Sequence, residues 1–189
     1  MDSRSHRRTS RGITLLEMVS VMAIMAILMT IAIPSYKYVT NSNRIAAEVN
    51  GLLGDMQFAR GEAIKEGQTV TVCVSNDGAT CLRNTSWNTG WIVFSDVNSD
   101  QTVDPNDTVL RVQAAFSGTD TFLANNTISA VTFNREGFAS ANGTGLAGGA
   151  ALITLHATPF DNDSTRCLSM NMVGMMAVQT TGTAGGACL

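Results

Sequence analysis

From Ile13 to Ile33 the chain runs 21 residues with few polar side chains and a single charge, Glu17. At about 1.5 Å rise per residue, a helix of that length spans roughly 30 Å, the hydrocarbon thickness of a bilayer. The run predicts a membrane helix. Beyond Pro34 the helical period continues: Ile45, Val49, Leu52, Met56, Ala59 and Ala63 recur at spacings of 4, 3, 4, 3 and 4, one apolar stripe. Arg44, Glu48, Asp55, Arg60, Glu62 and Lys65 occupy other positions. Pro34 removes one helical hydrogen bond and predicts a kink. Gly51, Gly54 and Gly61 predict local bending or close packing, and Gly67 a stop.

From Thr69 onward the period changes to two. Val70–Val74, Trp91–Ser95, Val109–Ala114, Ala130–Asn134, Ala151–His156 and Cys167–Met172 read as strands, with a seventh at Met175–Gln179. Gly-, Asn-, Asp- and Ser-rich connections separate them, the loosest at Gly143–Gly149. No internal repeat is present. The expectation is an α+β chain in which a long N-terminal helix, membrane-spanning in its first half, packs its second half on an antiparallel β-sheet head. Its divisions are residues 1–12, a helix over 13–66 with a membrane span at 13–33, and a β-rich domain at 67–189.

Charge orients this plan. Arg4, Arg7, Arg8 and Arg11 against Asp2 give the first twelve residues +3, while the remainder carries 8 basic and 14 acidic residues, a formal −6. Arginines clustered before a membrane helix keep the N-terminus cytoplasmic, so the body lies outside. A body that acidic argues against nucleic acid as a partner. The four cysteines suit an oxidising compartment. Three pairings are open. Cys73–Cys81 and Cys167–Cys188 are favoured because each closes a local loop. Zinc is the competing use of four cysteines, but the chain has no C-x-x-C spacing and its only histidines are His6 and His156.

A carboxylate inside a membrane helix costs about 2.5–3.5 kcal/mol on insertion scales. No cation lies elsewhere in Ile13–Ile33, and the positions four residues from Glu17 are Ile13 and Val21. A cut between Gly12 and Ile13 would turn the Ile13 nitrogen into a charged amine and supply the missing positive charge, on the same helix or on an adjacent subunit. The plainer reading is a carboxylate that snorkels from the helix end or stays protonated. A secretory signal would have a shorter apolar region with its cleavage site after it.

Arg11-Gly12-Ile13-Thr14-Leu15-Leu16-Glu17, an apolar helix and then Pro34 resemble the prepilin signature of the type IV pilin and type II secretion pseudopilin superfamily. The resemblance implies that residues 1–12 are a leader, that a prepilin peptidase cuts after Gly12, that Ile13 is N-methylated, and that Glu17 serves assembly. Ile13 departs from the Phe common at the first mature position. Phe58-Ala59-Arg60-Gly61-Glu62-Ala63, Gly90-Trp91-Ile92-Val93-Phe94, Phe133-Asn134-Arg135-Glu136-Gly137 and a cysteine pair closing the C-terminus resemble the GspH/FimT group of minor pilins and pseudopilins. The implied protein is a non-enzymatic structural subunit of a type IV pilus or secretion pseudopilus. It would be single-pass in the bacterial inner membrane with a periplasmic head. Its implied partners are other pilin or pseudopilin subunits, prepilin peptidase, the inner-membrane assembly platform and the lipid bilayer.

The competing function is a pilus-tip DNA receptor. Some members of the group bind DNA through Gly-Arg-x-Arg between the C-terminal cysteines. The matching stretch here is Gly174-Met175-Met176-Ala177, and no basic residue lies between Cys167 and Cys188. Phosphate contact needs cations. The methionines Met170, Met172, Met175 and Met176 read as sheet packing or a subunit contact.

No cofactor is expected, with one candidate cation site. Asp96, Asn98, Asp100, Asp104 and Asp107 stand at positions 1, 3, 5, 9 and 12 of a loop, near the pattern of a calcium-binding EF loop. Gln101 takes the usual glycine place and Asp107 that of a glutamate, so an acidic hairpin turn is the plainer reading. His156 reads as a packed strand residue and Arg135-Glu136 as a hairpin bridge. No catalytic constellation assembles from the sequence.

Overall fold

The computed structural model describes residues 12–146, 151–156, 158, 162–181 and 188, without the side chain of Asn126. The arginines of residues 1–11 and the later part of Gly143–Gly149 lie outside that set. Among the described residues one α-helix, α1 (Leu15–Glu66), is followed by ten strands: β1 (Val70–Val74), β2 (Gly90–Ser95), β3 (Thr108–Ala114), β4 (Thr121–Ala124), β5 (Ala130–Phe133), β6 (Ala139–Ala141), β7 (Thr144–Gly145), β8 (Ala151–His156), β9 (Arg166–Met170) and β10 (Met176–Thr180). The chain divides into two units, up to Val39 and from Thr40 onward.

In the first unit every described residue is exposed. Thr14 begins α1 as its cap, Oγ1 accepting the Glu17 N–H at 3.2 Å. That spacing, Thr then Glu three residues on, is a capping-box pattern. The helix is long and apolar enough to cross a membrane, and Pro34 lies within it.

In the second unit α1 buries Ile45, Val49, Leu52, Met56, Ala59 and Ala63, the six positions of the apolar stripe. These side chains share one core with Val70, Val72 and Val74 of β1, Trp91 and Val93 of β2, and Ile153, Leu155 and Leu168 of β8 and β9. The head holds two antiparallel sheets rather than one. Their orders are β3-β2-β1-β5-β6-β7 and β10-β9-β8-β4. The larger sheet is covered on both faces. Cys73, Ile92, Phe94 and Ala130 form a second cluster, lidded by Cys81, Val103 and Val109. Period-two alternation explains this, since Thr71 and Cys73 face away from the helix while their neighbours face it.

The cysteines close two short loops. Cys73 bonds Cys81 and Cys167 bonds Cys188, each with Cα atoms 5.6 Å apart. Among the described residues no cysteine is free. The second bond packs with Leu152 on the outer face of the smaller sheet.

Several boundaries differ from the sequence expectation. The strand expected over Cys167–Met172 ends at Met170, because Asn171 starts a turn that Gly174 N–H closes onto the Asn171 carbonyl at 3.0 Å. Ala130–Asn134 ends at Phe133, since Asn134 Oδ1 accepts the amides of Glu136 and Phe138. β4, β6 and β7 were not expected, and β7 falls inside the stretch read as the loosest connection. Gly51, Gly54 and Gly61 face open space, with nothing within 4 Å of where a Cβ would stand, so they are not sites of close packing within the head.

Two substitutions on α1 separate its faces. Leu52 is fully buried, and Leu52→Ala is expected to lower stability by about 2–5 kcal/mol in denaturant unfolding of the detergent-solubilised chain. Gly54→Ala, with free space around it, is expected to raise stability by up to about 1 kcal/mol.

Candidate functional site

Three stretches that stand apart in sequence meet at Arg60. Its Nε donates to the Gly137 carbonyl at 3.0 Å and its Nη2 to the Val173 carbonyl at 3.2 Å. Gly137 belongs to the turn between β5 and β6 of the larger sheet, and Val173 to the turn between β9 and β10 of the smaller. The two turns also bond directly, Ala139 N–H to the Met172 carbonyl at 2.9 Å. One guanidinium therefore ties the helix to both sheets, and its planar fork suits two carbonyls at once. The packing admits no side chain at Gly174. Its φ is +73°, and a Cβ there would lie 2.5 Å from the Gly137 carbonyl oxygen and 2.7 Å from Arg60 Nε. Gly174 thus has a structural duty independent of any ligand.

A second polar tie lies elsewhere along α1. Asp55 accepts the indole N–H of Trp91 at 2.9 Å and an Arg111 Nη1 bond at 2.9 Å. The Arg111 guanidinium stacks 3.7 Å over the Phe58 ring. Sequence patterning could not pair these residues, because Asp55 and Arg111 look like ordinary surface charges until the strands are placed.

At the other end, Gly12 and Ile13 are exposed and precede α1, and Glu17 sits in its first turn. Among the described residues nothing bonds the Glu17 carboxylate. A negative group in the first turn gains from the helix dipole, but that is a small offset to burial in hydrocarbon.

The acidic loop between β2 and β3 is organised by its own donors. Asp96 is buried; its Oδ1 accepts the Asp100 amide at 3.1 Å, and its Oδ2 accepts the Gln101 amide at 3.1 Å and the Thr71 hydroxyl at 2.7 Å. Gln101 adopts φ 62°, the conformation its glycine counterpart would take. The Asn98 amide nitrogen donates to both Asp100 and Asp104, at 2.9 and 3.1 Å. Asp107 accepts the Val97 and Asp104 amides. The loop bonds as the acidic hairpin turn of the plainer reading: an amide donor stands between two of the candidate calcium ligands, and among the described residues there is no group of three or more His, Cys, Asp or Glu that could hold a metal ion. Asp96 instead fastens the loop to the sheet through Thr71, whose hydroxyl also meets Thr132 at 2.8 Å.

The remaining candidates take plain roles. His156 ends β8 with Nδ1 3.3 Å from Thr165 Oγ1. Arg135 pairs with Glu136 at 2.9 Å in the β5–β6 turn and holds the Glu136 carboxyl below its ordinary range. Met170 is buried and Met176 partly so, whereas Met172 and Met175 are exposed. Met175 and Ala177, where the DNA-binding pattern has arginines, are exposed and apolar.

A long N-terminal helix, apolar on all sides in its first half and packed on antiparallel sheets in its second, defines a pilin-type subunit. Residues 48–174 match the family described as type II transport protein GspH, and residues 7–33 match the prokaryotic N-terminal methylation motif. The chain belongs to the GspH family. No protein of curated function matches it in sequence. Among solved structures it is similar to the type IV minor pilin FimU of Pseudomonas aeruginosa, at a TM-score of 0.59 and 18% identity over 78% of this chain and 96% of that one. A second crystal form of FimU gives 0.54, with 18% identity over 78% and 99%. The minor pseudopilin EpsH of the Vibrio cholerae type 2 secretion system gives 0.45, with 11% identity over 72% and 97%. The FimU likeness establishes the fold; the EpsH likeness is too slight to reason from.

Substitutions at the junction are expected to act on stability. Gly174→Ala should destabilise by more than about 1 kcal/mol, and Arg60→Ala by about 1–3 kcal/mol. Arg60→Lys should recover little, since an ammonium lacks the fork. Thermal unfolding of the full chain followed by fluorescence of the buried Trp87 and Trp91 checks all three.

Proposed function

We propose that this chain is a minor pilin or pseudopilin: a non-enzymatic structural subunit, cut between Gly12 and Ile13, N-methylated at Ile13, and built through its apolar helix into a type IV pilus or a secretion pseudopilus. The observation that carries this is the exposure of every described side chain up to Val39 on a helix of membrane-spanning length. So much apolar surface is tolerable only in a bilayer or against other subunits. The methylation-motif match over residues 7–33 supports processing by a prepilin peptidase. Before assembly the subunit is single-pass in the inner membrane, N-terminus cytoplasmic and head periplasmic, as the leading arginines favour.

In this reading Glu17 attracts the charged amine of a processed Ile13 during assembly. An attraction between unit charges is strong in a low-dielectric fibre core and weak in water. Its role is to set register as a subunit leaves the membrane. The head coats the fibre and needs no catalytic group. A DNA-receptor role draws no support, since the positions that would hold phosphate-binding arginines are Met175 and Ala177.

The test is Glu17→Ala expressed in the native host. Cleavage of the leader should proceed as in wild type, while recovery of the subunit in sheared fibres should fall at least about tenfold. Wild-type incorporation would overturn the assigned role of Glu17.

A further inference from the structure

Both tyrosines of the chain, Tyr36 and Tyr38, flank Lys37 just past the end of the apolar run. Lys37 is the only charged residue between Glu17 and Arg44, and no other aromatic residue stands between Ile13 and Phe58. All three side chains are exposed on α1, Tyr36 by 73% and Tyr38 by 48%. At about 100° of turn per residue, three consecutive positions point to three sides of a helix. Two phenol rings and an ammonium therefore form a girdle around α1, not a stripe along it. A ring with a polar tip and a lysine with a long apolar stem are side chains that settle where hydrocarbon meets headgroups.

Spacing gives the girdle a counterpart. Glu17 and Lys37 lie on one unbroken helix, and at about 1.5 Å per residue their Cα atoms are separated by roughly 30 Å, the thickness of a bilayer's hydrocarbon. Residues 18–36, between them, carry no charge. We propose that Tyr36, Lys37 and Tyr38 bind the phospholipid headgroups of the periplasmic leaflet and set the depth of α1, so that residues 18–36 fill the hydrocarbon and Glu17 stands among the headgroups of the inner leaflet. The Lys37 ammonium meets lipid phosphates. The phenol hydroxyls donate to phosphate or ester oxygens while their rings stay in the acyl boundary.

This deepens the proposed function and rests on its reading of α1 as a membrane helix. The frame differs from the apolar run itself. Centring Ile13–Ile33 in the bilayer puts Ala23 at the mid-plane and Glu17 inside the hydrocarbon, whereas the girdle puts Ile27 at the mid-plane and leaves Glu17 hydrated. The cost of burying that carboxylate is then deferred until the subunit rises from the membrane toward a fibre, where a processed Ile13 amine can offset it. Removal of residues 1–12 would also take away Arg4, Arg7, Arg8 and Arg11. From then on the girdle supplies the main hold on depth.

The experiment measures depth in the full chain, reconstituted in phosphatidylethanolamine–phosphatidylglycerol vesicles whose lipids carry spin labels at shallow or deep acyl positions. Ala23→Trp, Ile27→Trp and Tyr36→Trp are made singly, at sites exposed on α1. Trp87 and Trp91 are buried in the head, and the wild-type signal is subtracted. Quenching should place Ile27→Trp nearest the mid-plane, Ala23→Trp about 6 Å from it and Tyr36→Trp about 14 Å from it, at about 1.5 Å per residue. Depth is counted from the mid-plane, so both directions of insertion read alike. Ala23→Trp lying deeper than Ile27→Trp would overturn the proposal while leaving the membrane helix intact. Absence of quenching at all three sites would overturn the membrane-helix reading, and the proposal with it. The anchoring residues are tested by adding Tyr36→Ser, Lys37→Ser and Tyr38→Ser to Ile27→Trp. Residue 27 should then move about 6 Å from the mid-plane as the apolar run recentres. An unchanged depth would overturn the role of the girdle.

Discussion

One helix must satisfy two surroundings. Up to Val39 the described side chains of α1 are exposed, whereas from Ile45 a single stripe is sealed in the head core. The change needs no break in the helix, only a change in which positions are apolar. In the first part they lie on all sides, as a bilayer or a bundle of like helices requires. In the second they narrow to six residues spaced to fit a sheet. The head is assembled on that stripe, since β1, β2, β4, β5, β6, β8 and β9 all bury side chains in the core the helix anchors.

Polar ties then fix what hydrophobic burial leaves loose. Apolar packing is non-directional, so a helix lying on a sheet could slide or rotate without specific contacts. Arg60 against the two turns, Asp55 with Trp91 and Arg111, and Arg44 with Asp120 define its position along the length. Each tie joins α1 to a different part of the β structure. The disulfides and the Asp96 loop act elsewhere, closing the outer faces of the sheets.

The helix was legible because its pattern is long and unbroken; the six stripe residues are the six buried ones. Strands such as Val70–Val74 and Ala151–His156 were legible from β-branched and aliphatic runs. β6 and β7 were not, because Ala139-Ser140-Ala141 and Thr144-Gly145 have little intrinsic strand preference and owe their conformation to the pairing that runs out from β5. Division into two sheets is equally hidden, since alternation encodes a face and not a partner. The same limit applies to the Arg60 junction. The motifs around Arg60, Gly137 and Gly174 were each visible, but nothing in sequence says that a guanidinium joins them. The acidic loop carries a related ambiguity: oxygen side chains at a cation-binding spacing also describe a loop that bonds to itself, as this one does.

The proposed processing would create a positive charge at Ile13, near Glu17, the one carboxylate of the apolar run Ile13–Ile33. Intact-mass analysis and N-terminal fragmentation of the subunit isolated from native membranes or fibres tests this most directly. The predicted species begins at Ile13, lacks the first twelve residues and carries one methyl group on its terminal nitrogen. A chain that still begins at Met1, or that starts beyond Pro34, would contradict the account.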